Sequence, residues 1–372
     1  MKTKHLLCFL FLSAVYPDEF NEVNIENISS TRVLSIAQDS TGFIWIGTDD
    51  GLNRFDGFQN KVYRSDVFDE ATISGNRIWK IHVDSSNTTW VLTDRGVCYY
   101  DALRDRFGRI DMGSRPQHIQ DKNNTLYVST LNSGVYAINK ETKSFKNYLF
   151  DPLDPFSISS SKFSALQAKP TAINGDDLWV GTTNGLNRLS LKTGQAKRLY
   201  KNKTSYVKSD TITAILFVDD VLYVGTSRGL SLHGGNNNEP AQFGGFESSH
   251  ILNVFLIKET SAVGVVSKNK LGIFEKHSVS KTIKTNAPPH LVHDLGSGQY
   301  LLYSPENKNA IFLSVDIDTD DIYQTNKIEL PIKTTDILVD NEGGAWLAGE
   351  SSTARISNIE TPSVFTPIPH LK

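Results

Sequence analysis

Trp45-Ile-Gly-Thr-Asp-Asp-Gly-Leu-Asn-Arg-Phe55 is the stretch of sequence that decides the fold, because close copies of it recur along the chain. Residues 179–189 are nearly identical to it, and residues 223–232 form a third good copy. The aromatic residue that opens a copy stands at Trp45, Trp90, Tyr127, Trp179, Tyr223 and Trp346, with two eroded copies near Val263 and Tyr300. The spacing of roughly 40–50 residues is typical of one propeller blade per copy.

Each copy is predicted to form four antiparallel strands. In the first copy the strands are expected at residues 33–36, 43–48, 52–55 and 58–64. Asp39 to Gly42 is typical of a turn, and Gly51 can adopt the positive φ of a tight hairpin. β-Branched and aromatic residues dominate, and no stretch keeps helical periodicity for a dozen residues. We therefore predict an all-β protein, a β-propeller of seven or eight four-stranded blades.

The recurring residues are predicted to be structural rather than catalytic. A large ring packed between blades buries about 150–250 Å², and a glycine two positions later lets neighbouring sheets approach closely. These structural positions are Trp45, Gly47, Trp90, Tyr127, Trp179, Gly181, Tyr223, Gly225 and Trp346. Because a propeller has one central channel, a motif present in every good copy is not expected to be the ligand site.

The number of blades stays open between seven and eight. Residues 21–29 resemble an outer strand that would close the ring by pairing with the last blade. Eight blades use every copy, whereas seven would leave the copy at about 330–372 as the start of a missing second propeller. The predicted organisation is a signal peptide over residues 1–16 and a single propeller over residues 17–372.

The N-terminus predicts export. A short basic start precedes an apolar run from Leu6 to Tyr16, and Ser13 and Ala14 supply small residues near a cleavage point. The alternative is a buried first strand. The run is shorter than the ~20 residues of a spanning helix, and no later segment predicts a membrane span. Cleavage would leave Cys98 without an intrachain disulfide partner. The expected location is periplasmic or secreted.

The run from Asp39 to Gly57 closely resembles the two-component regulator propeller repeat, and the resemblance extends over residues 31–358 with gaps in the eroded copies. It implies an exported sensor region of a bacterial hybrid two-component or diguanylate-cyclase receptor. Such regions have two successive seven-bladed propellers, a β-sandwich, one membrane span and a cytoplasmic output module, and many respond to oligosaccharides. This chain is expected to be either a fragment of such a receptor or a free-standing exported propeller.

The sequence offers no recognisable catalytic motif. A net charge of −3 argues against nucleic-acid binding. No phosphate-binding glycine loop, paired cysteine motif or nucleophile elbow occurs. His290 and His293 would lie on opposite faces of a strand, which argues against a metal site. We therefore predict no catalytic residues, no metal and no cofactor.

The residue before each inner strand is the position of greatest functional interest. In chain order it is Arg32, Arg77, Arg115, Lys162, Thr211, His250, His290 and Lys333. Equivalent blade positions face the same end of a ring, so these side chains would focus positive potential at one mouth of the channel. The alternative is that the basic residue is only a structural feature of the repeat, with each side chain bonded to a neighbouring blade.

Trp79 shares a strand face with Arg77 and is predicted to offer a sugar-stacking surface, although packing between blades is an equal alternative. With His118 it completes the predicted ligand site. The expected ligand is an oligosaccharide or another anionic small molecule, and a second propeller or receptor domain is a further expected partner.

Two other functions remain open from sequence. One is a secreted polysaccharide lyase or hydrolase, which needs convergent acid and base residues in the channel. Its candidates are Lys80, His118, His293 and Asp336, which include no close carboxylate pair. The other is a propeller that only binds proteins.

The predicted fold is tested by circular dichroism of the purified chain. We expect a spectrum dominated by β structure, with less than about a tenth helix. A larger helical fraction would contradict the propeller prediction.

Overall fold

Eight antiparallel sheets make up the described part of the chain. The computed structural model describes residues 20–22, 25–163, 171–201, 207–234, 243–284, 289, 291–296, 298–306, 308–316, 321–330, 332–349 and 353–356. Within these ranges, seven sheets have four strands and one has three, and a short 3₁₀ turn lies at Phe246–Ser248. The predicted all-β propeller is confirmed. The predicted signal peptide lies outside the described residues.

The sheets follow one another along the chain as blades 1 to 8. Blade 1 contains β2 (Val33–Gln38), β3 (Ile44–Thr48), β4 (Gly51–Phe55) and β5 (Asn60–Tyr63). Blade 2 contains β6 (Ile78–Val83), β7 (Thr89–Thr93), β8 (Gly96–Asp101) and β9 (Arg106–Asp111). Blade 3 contains β10 (Pro116–Lys122), β11 (Thr125–Thr130), β12 (Val135–Asn139) and β13 (Phe145–Tyr148). Blade 4 contains β14 (Thr171–Asn174), β15 (Asp177–Thr182), β16 (Gly185–Ser190) and β17 (Ala196–Leu199).

The second half continues in the same order. Blade 5 contains β18 (Ile212–Val218), β19 (Val221–Thr226) and β20 (Gly229–Gly234). Blade 6 contains β21 (Ile251–Ile257), β22 (Ala262–Ser267), β23 (Lys270–Glu275) and β24 (Ser278–Lys284). Blade 7 contains β25 (Leu291–Gly296), β26 (Gln299–Tyr303), β27 (Asn309–Val315) and β28 (Ile322–Glu329). Blade 8 contains β29 (Thr334–Val339), β30 (Ala345–Gly349), β31 (Thr353–Ile356) and β1 (Phe20–Glu22).

The ring is closed by the two ends of the described chain. β1 pairs antiparallel with β31, with Phe20 opposite Ile356, so the first strand supplies the outer strand of the last blade. Blade 8 also packs on blade 1, where Trp346 shares an apolar cluster with Val33 and Ile36. The last copy therefore belongs to this ring, and the closing strand spans residues 20–22 rather than the expected 21–29.

Eight apolar clusters hold the ring together, one between each pair of neighbouring blades. Trp45, for example, packs with Ile78 and Ile81 of blade 2. The repeat aromatics are buried in five copies, with Trp45 and Trp90 at 0% exposure, whereas Trp179 is half-buried. The core is therefore divided into separate interfaces, because the apolar side chains of each blade pack only against those of its two neighbours.

One aspartate ties each of three tryptophans to its own turn. One carboxylate oxygen of Asp39 accepts the indole N–H of Trp45 at 2.8 Å, and the other accepts the peptide N–H of Phe43 at 3.1 Å. The same 2.8 Å indole bond recurs in two further blades, between Asp84 and Trp90 and between Asp340 and Trp346. In blade 4 the turn is one residue shorter, and Asn174 stands at the aspartate position.

The glycine of the motif lies where the next blade approaches. A Cβ atom on Gly47 would come within 2.5 Å of Ile78, and one on Gly181 would come within 2.4 Å of Ile212. Gly225 faces Ile251 in the same way, at 2.7 Å. Each of these isoleucines stands at or near the start of the inner strand of the next blade, so the absence of a side chain sets the spacing between sheets.

Removal of the tryptophan from each of the two best copies is expected to destabilise the protein by different amounts. Sequence alone predicts that Trp45→Ala and Trp179→Ala each lower the free energy of unfolding by about 3–5 kcal/mol. The structure supports that cost for Trp45, which is fully buried and bonded to Asp39. We expect a smaller cost for the half-buried Trp179. Equal midpoint shifts of the two variants in urea would contradict this difference.

Candidate functional site

One end of the ring carries the position that precedes each inner strand. In an up-and-down sheet, this position and the turn between the second and third strands lie at the same end. The peptide N–H groups of Asp49, Leu131, Thr183 and Ser227 in those turns donate to the carbonyl groups of Arg32, Arg115, Lys162 and Thr211, respectively. Four of the predicted positions are therefore equivalent in the structure. We call this end of the ring the mouth face.

Arg77, Trp79 and Arg115 come together on the mouth face. The Cζ atom of Arg77 lies 4.3 Å from the centre of the Trp79 ring, and that of Arg115 lies 4.2 Å from it. Arg77 and Trp79 belong to blade 2 and its entry, whereas Arg115 precedes β10 of blade 3. The cluster, which we call the cationic cluster, thus spans the boundary between two blades.

The two positive charges beside Trp79 repel each other. Burial lowers the pKa of Arg115, and the positive charge of Arg77 lowers it further. The indole ring offsets part of this cost, because a guanidinium over an aromatic face is attracted by about 0.5–2 kcal/mol. An anion placed against the two groups would relieve the repulsion.

The cluster also contains polar atoms without an internal partner. The Nε atom of Arg77 and the Nε1 atom of Trp79 are buried, and neither forms a hydrogen bond with another described residue. Buried donors normally have an acceptor, and leaving one unpaired costs about 1–3 kcal/mol. Because both atoms are buried, an acceptor atom of a bound molecule reaches them only if the side chains that cover them move.

The role expected of Trp79 changes with this geometry. Sequence predicts that a sugar stacks on its ring, but the ring already contacts two guanidinium groups. We therefore regard Trp79 as the residue that positions Arg77 and Arg115. The guanidinium groups are the candidate ligand contacts.

The remaining predicted residues lie at other places around the ring. Arg32 is half-buried in blade 1, and Lys162 is exposed before blade 4. His118 lies on β10, where its Nδ1 atom is 3.5 Å from the Thr171 hydroxyl oxygen. Burial lowers the pKa of His250, and Lys268 lowers it further. His290 lies outside the described residues.

A second set of polar side chains lies where the ring closes. Buried Asp336 of blade 8 accepts the Ser35 hydroxyl at 2.8 Å and the Lys80 ammonium at 2.9 Å. The Ser35 oxygen in turn accepts the peptide N–H of Ile81 at 3.1 Å. Blades 8, 1 and 2 are joined by these bonds. Sequence identified Lys80 and Asp336 only as candidate acid or base residues, and it missed Ser35.

A third set of polar side chains lies between blades 2 and 3. The Asp121 carboxylate bonds the buried ammonium of Lys140 at 3.0 Å and lies 3.7 Å from the Nε2 atom of His82. Sequence reasoning missed this group. The sequence could have indicated it, because His82 and Asp121 lie near the ends of consecutive inner strands.

The described residues contain no group of three or more histidine, cysteine, aspartate or glutamate side chains that could hold a metal ion. Over the same residues, no helix has the length and apolar character to cross a membrane.

Comparison with known proteins identifies the repeat. Residues 27–50 match the model of the family described as two component regulator propeller. Histidine kinase P4 of Formosa agariphila is 45% identical over 49 residues, which are 13% of this chain and 4% of that protein. The match therefore covers a small part of the relative's length.

Solved structures of similar fold come from proteins with different roles. The extracellular domain of BT4673 from B. thetaiotaomicron, described as a hybrid two component system, superposes with a TM-score of 0.52 and 20% identity over 92% of this chain and 43% of that one. Sqt1 of Saccharomyces cerevisiae gives 0.63 at 10% identity, covering 92% and 100% of the two chains. A streptogramin B lyase gives 0.53 at 12% identity, covering 90% and 96%. At these identities the likeness shows the fold alone.

The histidines predict how stability depends on pH. Burial lowers the pKa of His82 and of His293, in each case against the raising effect of a nearby aspartate. The unfolded chain, with histidine pKa values near 6.5, then binds more protons on acidification than the folded one. The free energy of unfolding that the two neutral histidines contribute above about pH 6.5 is therefore lost progressively as the pH falls below that value. Calorimetry between about pH 7.5 and 5 should show a falling unfolding temperature.

The matched variant is His82→Gln/His293→Gln, which removes both titrating groups. Its unfolding temperature should change less over this interval than that of the wild type. An equal slope in both proteins would show that other groups cause the dependence.

Proposed function

Because the chain carries the two component regulator propeller repeat, we propose that it is the ligand-binding propeller of an exported bacterial signalling receptor. The similar stretch in Histidine kinase P4 supports a signalling context. In this proposal the propeller binds a ligand outside the cytoplasm, in the periplasm or the medium. Other parts of the receptor carry the signal.

The cationic cluster is the observation that supports a specific ligand class. Two guanidinium groups within 4.3 Å of one indole centre form a compact positive site on the mouth face. Guanidinium groups pair bidentately with planar or branched oxyanions, and such charge-assisted bonds contribute about 1.5–3 kcal/mol each. The proposed ligand is an oligosaccharide that carries sulfate or carboxylate groups.

The channel residues support binding rather than catalysis. An acid or base needs a free position toward the substrate, but Asp336 already accepts bonds from Ser35, Ile36 and Lys80. These bonds join blades, which is a structural role. We propose that the chain is not an enzyme, and that Lys80, His293 and Asp336 maintain the closed ring.

Calorimetric titration with defined oligosaccharides tests this function. The probes are a sulfated heparin tetrasaccharide, a tetragalacturonate and neutral cellotetraose. We expect an acidic probe to bind, the neutral one to bind at least tenfold more weakly, and added salt to weaken the acidic complex. Arg77→Gln/Arg115→Gln should weaken acidic binding at least tenfold, since two charged bonds are lost.

The matched control removes two positive charges from the opposite end of the ring. Arg104→Gln/Lys192→Gln changes exposed residues that pair with Asp101 and Asp176 in or near turns of blades 2 and 4. This variant should bind as the wild type does. No binding of either acidic probe, or equal loss in both variants, would refute the cluster as the ligand site.

A further inference from the structure

Two long connections on the mouth face share one construction. Residues 65–76 lie in the connection from blade 1 to blade 2, and residues 150–161 lie in the connection from blade 3 to blade 4. Their tips present apolar side chains to solvent, with Phe68 at 94% and Leu153 at 91% exposure. We call these segments the mouth loops. The short connection that holds Arg115, residues 112–115, lies between them in the ring order.

Matching hydrogen bonds hold the two tips. The peptide N–H of Phe68 donates to the Asp66 carboxylate at 2.9 Å. The N–H of Leu153 donates to the Asp151 carboxylate at 2.8 Å. Phe68 and Leu153 therefore occupy equivalent positions in the two loops.

Each mouth loop is also fastened by an arginine from the blade that follows it. The Arg109 guanidinium donates to the carbonyl groups of Asp69 at 2.9 Å and Ile73 at 3.0 Å. Arg198 donates in the same way to the carbonyl group of Asp154 at 2.6 Å. Because the loop backbones are already fixed, contact with a partner costs little additional backbone entropy.

The charges of the mouth face are complementary to one another. Residues 65–76 contain Asp66, Asp69 and Glu70, residues 150–161 contain Asp151 and Asp154, and neither segment contains lysine or arginine. The cationic cluster on the same face is positive. A surface with both signs and apolar tips is self-complementary where a two-fold axis brings the acidic loops of one copy opposite the positive groups of the other.

We propose that the mouth face is a homodimer interface, in which the apolar tips of two copies pack together and the loop carboxylates of each copy face the cationic cluster of the other. At the opposite end of the ring the N–H groups of Phe58 and Leu103 make the same kind of bond, to the carboxylates of Asp56 at 2.8 Å and Asp101 at 3.1 Å. Phe58 and Leu103 are equally exposed there, but they lie in short turns, and Arg104 beside Leu103 is paired with Asp101. The charges beside Leu103 are already satisfied within one copy.

Sedimentation velocity of the whole chain tests the interface, without any glycan present, so the result does not depend on the proposed function. Over about 1–200 µM protein we expect a concentration-dependent dimer that weakens as salt is raised from about 50 to 500 mM. Phe68→Ser/Leu153→Ser should weaken the dimer at least about tenfold, because two large apolar side chains no longer bury area.

The matched control is Phe58→Ser/Leu103→Ser, which removes two equally exposed apolar residues from the other end of the ring and should leave the dimer unchanged. Glu70→Lys should weaken it at low salt. A monomer at all concentrations, an unaffected dimer in Phe68→Ser/Leu153→Ser, or equal loss in the control variant would overturn the proposal. Thermal melts of all variants should coincide, since each substituted side chain is exposed.

Discussion

The bond between an aspartate carboxylate and a tryptophan indole is the interaction that organises blades 1, 2 and 8, the blades that meet where the ring closes. In blades 1, 2 and 8 the same carboxylate holds the turn after the inner strand and the ring that packs against the neighbouring blade. Local chain direction and packing between blades are therefore fixed by one group. A buried carboxylate is tolerable here because both oxygens accept hydrogen bonds. Blade 4, which has Asn174 at this position, leaves its tryptophan half-buried.

A ring built from such units has no single centre, and its stability is distributed over eight interfaces. The closing interface has an added requirement, because its two sides come from opposite ends of the chain. β1 pairs with β31, and the bonds from Ser35 and Lys80 to Asp336 join blades 8, 1 and 2. These long-range contacts remove the free sheet edge that an open array would expose.

The repeat also explains why the proposed ligand site and the proposed interface both lie on the mouth face. Strand length and interface packing leave little freedom within a blade, whereas the connections between blades vary in length. Two long, acidic connections lie on either side of a short one that carries Arg115. Placing the cationic cluster between them creates a surface where an anionic ligand and a second copy would contact the same guanidinium groups. If both proposals hold, the ligand and the dimer compete, which gives the propeller a physical means of reporting its ligand.

The sequence by itself determined the fold class, the repeat, the glycine spacing and the position that carries positive charge, because each depends on residues close together in the chain. The pairing of Arg77 with Arg115 around Trp79 was not determined, since it joins two blades and depends on side-chain direction. The choice of eight blades likewise required the pairing of residue 20 with residue 356. The burial of Trp45 and the half-burial of Trp179, nearly identical in sequence, were decided by what the next blade and the turn place beside each ring. Local sequence specifies a blade, but only closure of the ring decides which side chains from different blades meet.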